Sequence, residues 1–107
     1  MFEVRRYRTT AGDEPVTELL SALNDAQARA RINARIARLA AGNFGDCKPL
    51  RGGVWELRVD WGPGYRVYYA RIGRSVVLLL HAGDKRRQNP DIVRAIEYFD
   101  DFKRRTL

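Results

Sequence analysis

An α+β domain built on an antiparallel sheet is the fold class this sequence predicts, and three observations predict it. Residues 54–81 alternate apolar and polar side chains with period two, residues 14–42 repeat apolar side chains at helical spacing, and a capped amphipathic segment closes the chain. The implied element order is β-α-α-β-β-β-α: a meander sheet, a helical hairpin and a C-terminal helix. At 107 residues the chain can bury one hydrophobic core and not two, so residues 1–107 are expected to form a single domain.

Taken in order, Phe2 to Arg8 alternates in the manner of a short edge strand, and the Thr10–Pro15 stretch breaks it. Asp13 is placed to cap a helix that starts near Glu14 and Pro15 and runs to about Leu23. Asn24 or Asp25 caps a second, longer helix that ends at Gly42-Asn43. On it Ala28, Ile32, Ile36 and Leu39 form the stripe to be buried, while Arg31, Arg35 and Arg38 share another face that reads mainly as solvated surface.

From Val54 the period becomes two. Trp55, Leu57, Val59 and Trp61 fall on one face, and Glu56, Arg58 and Asp60 on the other. After Gly62-Pro63-Gly64 the alternation resumes, with Tyr65, Val67 and Tyr69 against Arg66 and Tyr68. Glycines that permit positive φ suit a hairpin there. Matching apolar with apolar faces allows a register that sets Asp60 opposite Arg66 and Arg58 opposite Tyr68. Two arginines, a tyrosine and a carboxylate then share one face, the best candidate site in the sequence. A second hairpin leads into Val76–Leu80, whose unbroken apolar run suits an interior strand covered on both faces. Asn89 should cap the last helix, with Pro90 in its first turn, Ile92, Ile96 and Phe99 on its apolar face and Lys103, Arg104 and Arg105 at its C-terminal end.

Charge narrows the function classes. Lys plus Arg number 20 and Asp plus Glu 13, giving a net charge of +7 and a pI near 10.2. Such a domain attracts polyanions, most often nucleic acid. Arg outnumbers Lys by 17 to 3, which favours planar forks on phosphate, although an Arg-preferring genome gives the same bias. A single cysteine, Cys47, excludes an internal disulfide framework, and with His81 the only histidine no metal-ligand cluster is expected. No cofactor is implied. Residues 1–10 carry no apolar run fit for a signal peptide, and Val76–Leu80 is too short to cross a bilayer, so a cytoplasmic protein without membrane contact is the expectation.

The element order, together with Leu50–Arg58 (LRGGVWELR), Gly62–Tyr69 (GPGYRVYY) and Gly83–Ile92 (GDKRRQNPDI) in succession, resembles the RelE/ParE toxin superfamily. More narrowly it is similar to the HigB-like, addiction-module-killer branch of type II toxin–antitoxin systems. The resemblance covers essentially the whole chain. It implies a small RelE-like fold and a ribosome-dependent endoribonuclease (an mRNA interferase) that inhibits translation without a metal. It also implies a cognate antitoxin, often a helix-turn-helix DNA-binding protein, through which alone operator DNA would be met; the other partners are ribosome and mRNA.

Cleavage by a ribose 2′-OH builds negative charge on the phosphoryl oxygens, which cations must stabilise, and it needs a proton acceptor and donor within reach. By the resemblance Arg66 and Arg86 match active-site arginines, and Arg58 stands where a catalytic lysine is found. Lys85 and Tyr68 join them as catalytic candidates, with Lys48, Arg51 and Arg87 as RNA-binding residues. The pattern also departs. Glu56 replaces a second strand lysine, Ile92 falls where a catalytic tyrosine stands, and only Thr106-Leu107 follow the terminal basic run, where HigB-like toxins often carry a His or Tyr. The general base therefore stays open among Tyr68, Glu56, Lys85 and His81. Two alternatives also stay open: a ParE-like DNA gyrase inhibitor, and a non-catalytic basic nucleic-acid-binding module.

Overall fold

The computed structural model describes residues 1–106, which fold as a five-stranded sheet between two helical layers. The strands are β1 (Glu3–Arg6), β2 (Cys47–Pro49), β3 (Trp55–Val59), β4 (Tyr65–Ile72) and β5 (Val76–Asp84); the helices are α1 (Pro15–Ala22), α2 (Ala26–Ala40) and α3 (Gln88–Thr106). A 3-10 turn, Lys85–Arg87, joins β5 to α3. The sheet order is β1-β5-β4-β3-β2. β2 to β5 form the antiparallel meander, and β1 adds to it in parallel, with Glu3 aligned on Val76. The α+β class and the predicted element order hold, with β2 the strand the sequence did not announce.

Alternation decides which layer each side chain meets. Leu57, Val59, Val67, Tyr69, Val77 and Leu79 pack under α1 and α2, against Leu20, Ile32 and Leu39. Tyr68, Ala70, Leu78 and Leu80 pack under α3, against Ile92, Ala95 and Phe99. β5 is thus covered on both faces, as its apolar run requires. The buried stripe of α2 is the expected one: Ala28, Ile32, Ile36 and Leu39.

Helix starts differ in detail from expectation. Glu14, not Asp13, occupies the N-cap position of α1. Its carboxylate leaves the backbone uncapped and instead accepts from Thr17 Oγ1 and Arg8, each at 2.8 Å. Asp25 caps α2, accepting from the backbone of Gln27 at 3.0 Å and Ala28 at 3.1 Å. Asn89 lies inside α3; the capping carboxylate is Asp84, which accepts from the Arg86 N–H at 2.9 Å and starts the 3-10 turn that feeds the helix. The chain commits to a helical path one turn earlier than Asn89-Pro90 suggested, because Asp84 reaches the first free N–H groups.

The β3–β4 register is two residues off the expected one. Arg58 faces Arg66 and Glu56 faces Tyr68, so Asp60 has no strand partner. Trp61 explains the shift. It leaves the ladder, lies 3.9 Å under the Arg31 guanidinium and donates through Nε1 to Asp25 at 3.3 Å, which lengthens the loop to Asp60–Gly64. Because the shift is even, no side chain changes face, and Arg58 and Arg66 stay together.

Candidate functional site

Two cross-strand rows build the site on the α3 side of the sheet. One runs Lys48–Glu56–Tyr68–His81 over β2 to β5, and the next runs Arg58–Arg66–Gly83. α3 covers the first row and the Gly83 end of the second, and leaves the Arg58 and Arg66 end facing the cleft. Two arginines placed directly opposite each other repel. Glu56 answers that repulsion: its side chain is 0% exposed, and its Oε1 accepts from Arg58 Nε at 3.1 Å and lies 3.7 Å from Arg66 Nε. Oε2 accepts from Gln88 Nε2 at 2.6 Å, which ties the first turn of α3 to the sheet. A second pin, from below, is the Arg35 guanidinium, which donates to the Arg58 carbonyl at 2.7 Å. Arg35 is therefore structural, whereas sequence alone put it on a solvated face.

Beyond Glu56 the two guanidinium groups line a polar cleft of about 290 Å³, with Lys85, Asp46, Asp60 and the Gly62–Gly64 loop as its other walls. The loop is held to the 3-10 turn by the Lys85 N–H, which donates to the Gly64 carbonyl at 2.8 Å. Three of the predicted catalytic cations thus converge: Arg58, Arg66 and Lys85. Such a cleft can hold a phosphate and neutralise charge that grows on it.

The other predicted residues fall elsewhere. Arg86 does not line the cleft; its guanidinium is 80% exposed and bonded to Asp84 at 2.8 Å. Tyr68 is fully buried beneath α3, and burial pushes its phenol pKa well above the usual value, with Glu56 and Asp91 adding to the shift. It packs next to the site without opening into it. Arg87 is exposed and lies 3.9 Å from Asp91 on α3. Lys48 stands in the Glu56 row on the edge strand and Arg51 in the β2–β3 turn, both exposed and neither in the cleft. Among the described residues no group of three or more His, Cys, Asp or Glu side chains is placed to hold a metal ion.

His81 reaches the α3 face through an irregularity. The β4–β5 register slips between Tyr68 and Tyr69, so that Tyr68 pairs with His81 while Tyr69 pairs with Leu79. Leu80 is the extra residue of this bulge. Past it the parity inverts: Ala82 joins the α1/α2 core, and the His81 ring lies edge-on to Tyr98 with Nε2 3.1 Å from Asp91 Oδ1. Burial lowers the imidazole pKa from its ordinary value, and Asp91 opposes that shift without reversing it. Nothing in the residue pattern marks Gln88 or Asp91 as partners, because both contacts depend on where α3 docks. Asp46 enters the cleft through β2, the strand that sequence reasoning missed.

Residues 18–100 match the family described as Phage derived protein Gp49-like (DUF891), a span from α1 through most of α3. An uncharacterized protein of Haemophilus influenzae (strain Rd) is 51% identical over 76 residues, which cover 71% of this chain and 77% of that protein. Gp49-like proteins are a toxin-like family related to the RelE/ParE group. With its cationic cleft set on a RelE-like α+β scaffold, the chain belongs to the Gp49-like family of phage-derived proteins.

Proposed function

We propose that this chain is the toxin of a type II toxin–antitoxin module of the HigB-like kind, a cytoplasmic endoribonuclease that cleaves mRNA on the ribosome. The observation that carries the reading is the convergence of Arg58, Arg66 and Lys85 on one cleft, with the buried Glu56 hydrogen-bonded to Arg58 Nε and ion-paired with Arg66. With each Nε turned towards Glu56, the Arg58 Nη groups and the Arg66 Nη2 are left to meet a phosphate, while Arg66 Nη1 donates to the Tyr65 carbonyl at 3.1 Å.

The chemistry follows from charge and position. The ribose 2′-oxygen attacks the adjacent phosphorus and gives up its proton; the bond to the 5′-oxygen breaks, and that oxygen takes a proton as it leaves. Arg58 and Arg66 hold the phosphoryl oxygens as negative charge develops on them. Lys85, Asp46 and Asp60 are the cleft groups within reach for proton transfer. Glu56 has both oxygens engaged and Tyr68 is fully buried, so neither is available to substrate. This set is incomplete without a substrate held rigidly in line, a task that falls to the ribosome.

Induced expression without antitoxin is the test. Growth should stop and translated mRNA should be cut, while the purified protein leaves naked RNA largely intact. Growth arrest with intact mRNA and blocked supercoiling would instead support the gyrase-inhibitor reading. One observation favours that reading: neither a histidine nor a tyrosine lines the cleft.

A further inference from the structure

Next to the polar cleft lies a second, apolar cavity of about 220 Å³, and Arg66 lines both. Leu20, Leu23 and Ile32 of the helical layer and Tyr65 and Ala82 of the sheet form its walls, with Arg87 also on its lining. Pockets for drug-sized ligands run to roughly 300–1,000 Å³, so this one has room for a single ring-sized group. Gly83 and Asp84 of β5 complete the lining. β1 pairs with β5 only as far as Leu79, so the outer edge of β5 at Ala82, Gly83 and Asp84 has no strand beside it. Unpaired edge N–H and C=O groups seek hydrogen-bond partners. The stretch is too short to accept an added strand.

An apolar slot, a strand edge with no strand beside it and an adjacent cluster of cations suit a ligand with an apolar ring face, a hydrogen-bonding edge and an attached anion. We infer that the cavity seats one nucleobase of the bound strand, next to the phosphate held by Arg58 and Arg66. The inference rests on the RNA reading above and adds a base-recognising subsite to it. The apolar walls take the faces of the base, the β5 edge meets its polar edge, and Arg66 lies between base and phosphate. The site would thereby contribute to which nucleotide is placed beside the cleaved bond.

The experiment compares two uncleavable probes, deoxyadenylyl-deoxyadenosine and the same phosphodiester lacking one base, by NMR titration of the intact chain. The wild type should bind the first about tenfold more tightly, the order that one stacked base contributes, with the Ile32 and Ala82 methyl signals shifting. Ala22→Phe, at the exposed rim of the cavity, should remove that preference and leave the abasic probe unaffected. Leu19→Phe repeats the test should the first variant fold poorly. Equal binding of the two probes, with the Arg58 and Arg66 signals moving in both, overturns the base site and spares the RNA reading. Cavity methyls that move while neither probe moves those arginines remove the phosphate from the cleft, and the base site beside it is overturned. A Glu-rich peptide bearing one leucine that shifts the cavity methyls, when the dinucleotide does not, assigns the cavity to a protein partner and overturns the inference.

Discussion

At the scale of single residues, Arg58 and Arg66 owe their arrangement to the carboxylate lodged between them. Replacing either with Ala should cut mRNA cleavage by roughly 10²–10³-fold, the usual loss when one electrostatic contact to a developing charge is removed. Arg86→Ala should retain most of the activity, because that guanidinium is spent on Asp84 outside the cleft; toxicity plating with primer-extension mapping ranks the three. Glu56→Ala removes the anion and leaves two guanidinium groups opposed, one of them, Arg66, with only 11% of its side chain exposed. Breaking a buried pair from one side costs about 3–5 kcal/mol. Urea unfolding should show a loss of that order, and Arg58→Ala a smaller one, since it leaves Glu56 its Arg66 and Gln88 partners.

At the scale of elements, the docking of α3 onto the sheet sets two further expectations. A Cβ on Gly83 would come within 2.1 Å of the buried Asp91 Oδ2, so the strand can pass that close to the helix only without a side chain. Gly83→Ala should therefore destabilise the fold by about 1–3 kcal/mol, as overpacking does, readable as a fall in the urea midpoint. His81, packed against Tyr98 and Asp91 of α3 with Arg87 and Arg94 nearby, has a folded pKa below its ordinary value of 6.5. The unfolded chain then binds the proton first. Stability is complete above pH 6.5 and is lost as pH falls from there towards the folded pKa. His81→Gln should flatten this part of the thermal-midpoint profile. These same contacts show where sequence reasoning stopped. Periodicity placed the helices, the meander and the shared face of Arg58 and Arg66, because each follows from local alternation. It missed β2, whose three residues, Cys47–Pro49, are too few to show a period. It misjudged the register because Trp61 is drawn out of the ladder by Arg31 and Asp25 on α2, and it kept Tyr68 at the site because alternation cannot say which part of a face a helix will cover. The Leu80 bulge carries no local mark at all, so the move of His81 to the α3 side was not legible.

At the scale of the whole molecule, a net charge of +7 makes association with a polyanion strongly dependent on ionic strength. With Arg58 and Arg66 sharing one phosphate and Lys85 beside a second, log affinity for a short single strand should fall with log salt at a slope of about −1. A titration from low to moderate salt checks this, and a flat response would move recognition away from the cleft. The parallel seating of β1 beside β5 has a consequence in time. The first strand made has its place in the sheet only beside the last strand made, with Glu3 aligned on Val76. Chains emerge from the N-terminus at about 5–20 residues per second, so β1 waits, unzipped, for roughly the several seconds it takes to reach Val76. Gln88, which fastens α3 over Glu56, emerges later still. A nascent copy is therefore unfinished at its cleft until Gln88 has left the machine on which the protein is proposed to act.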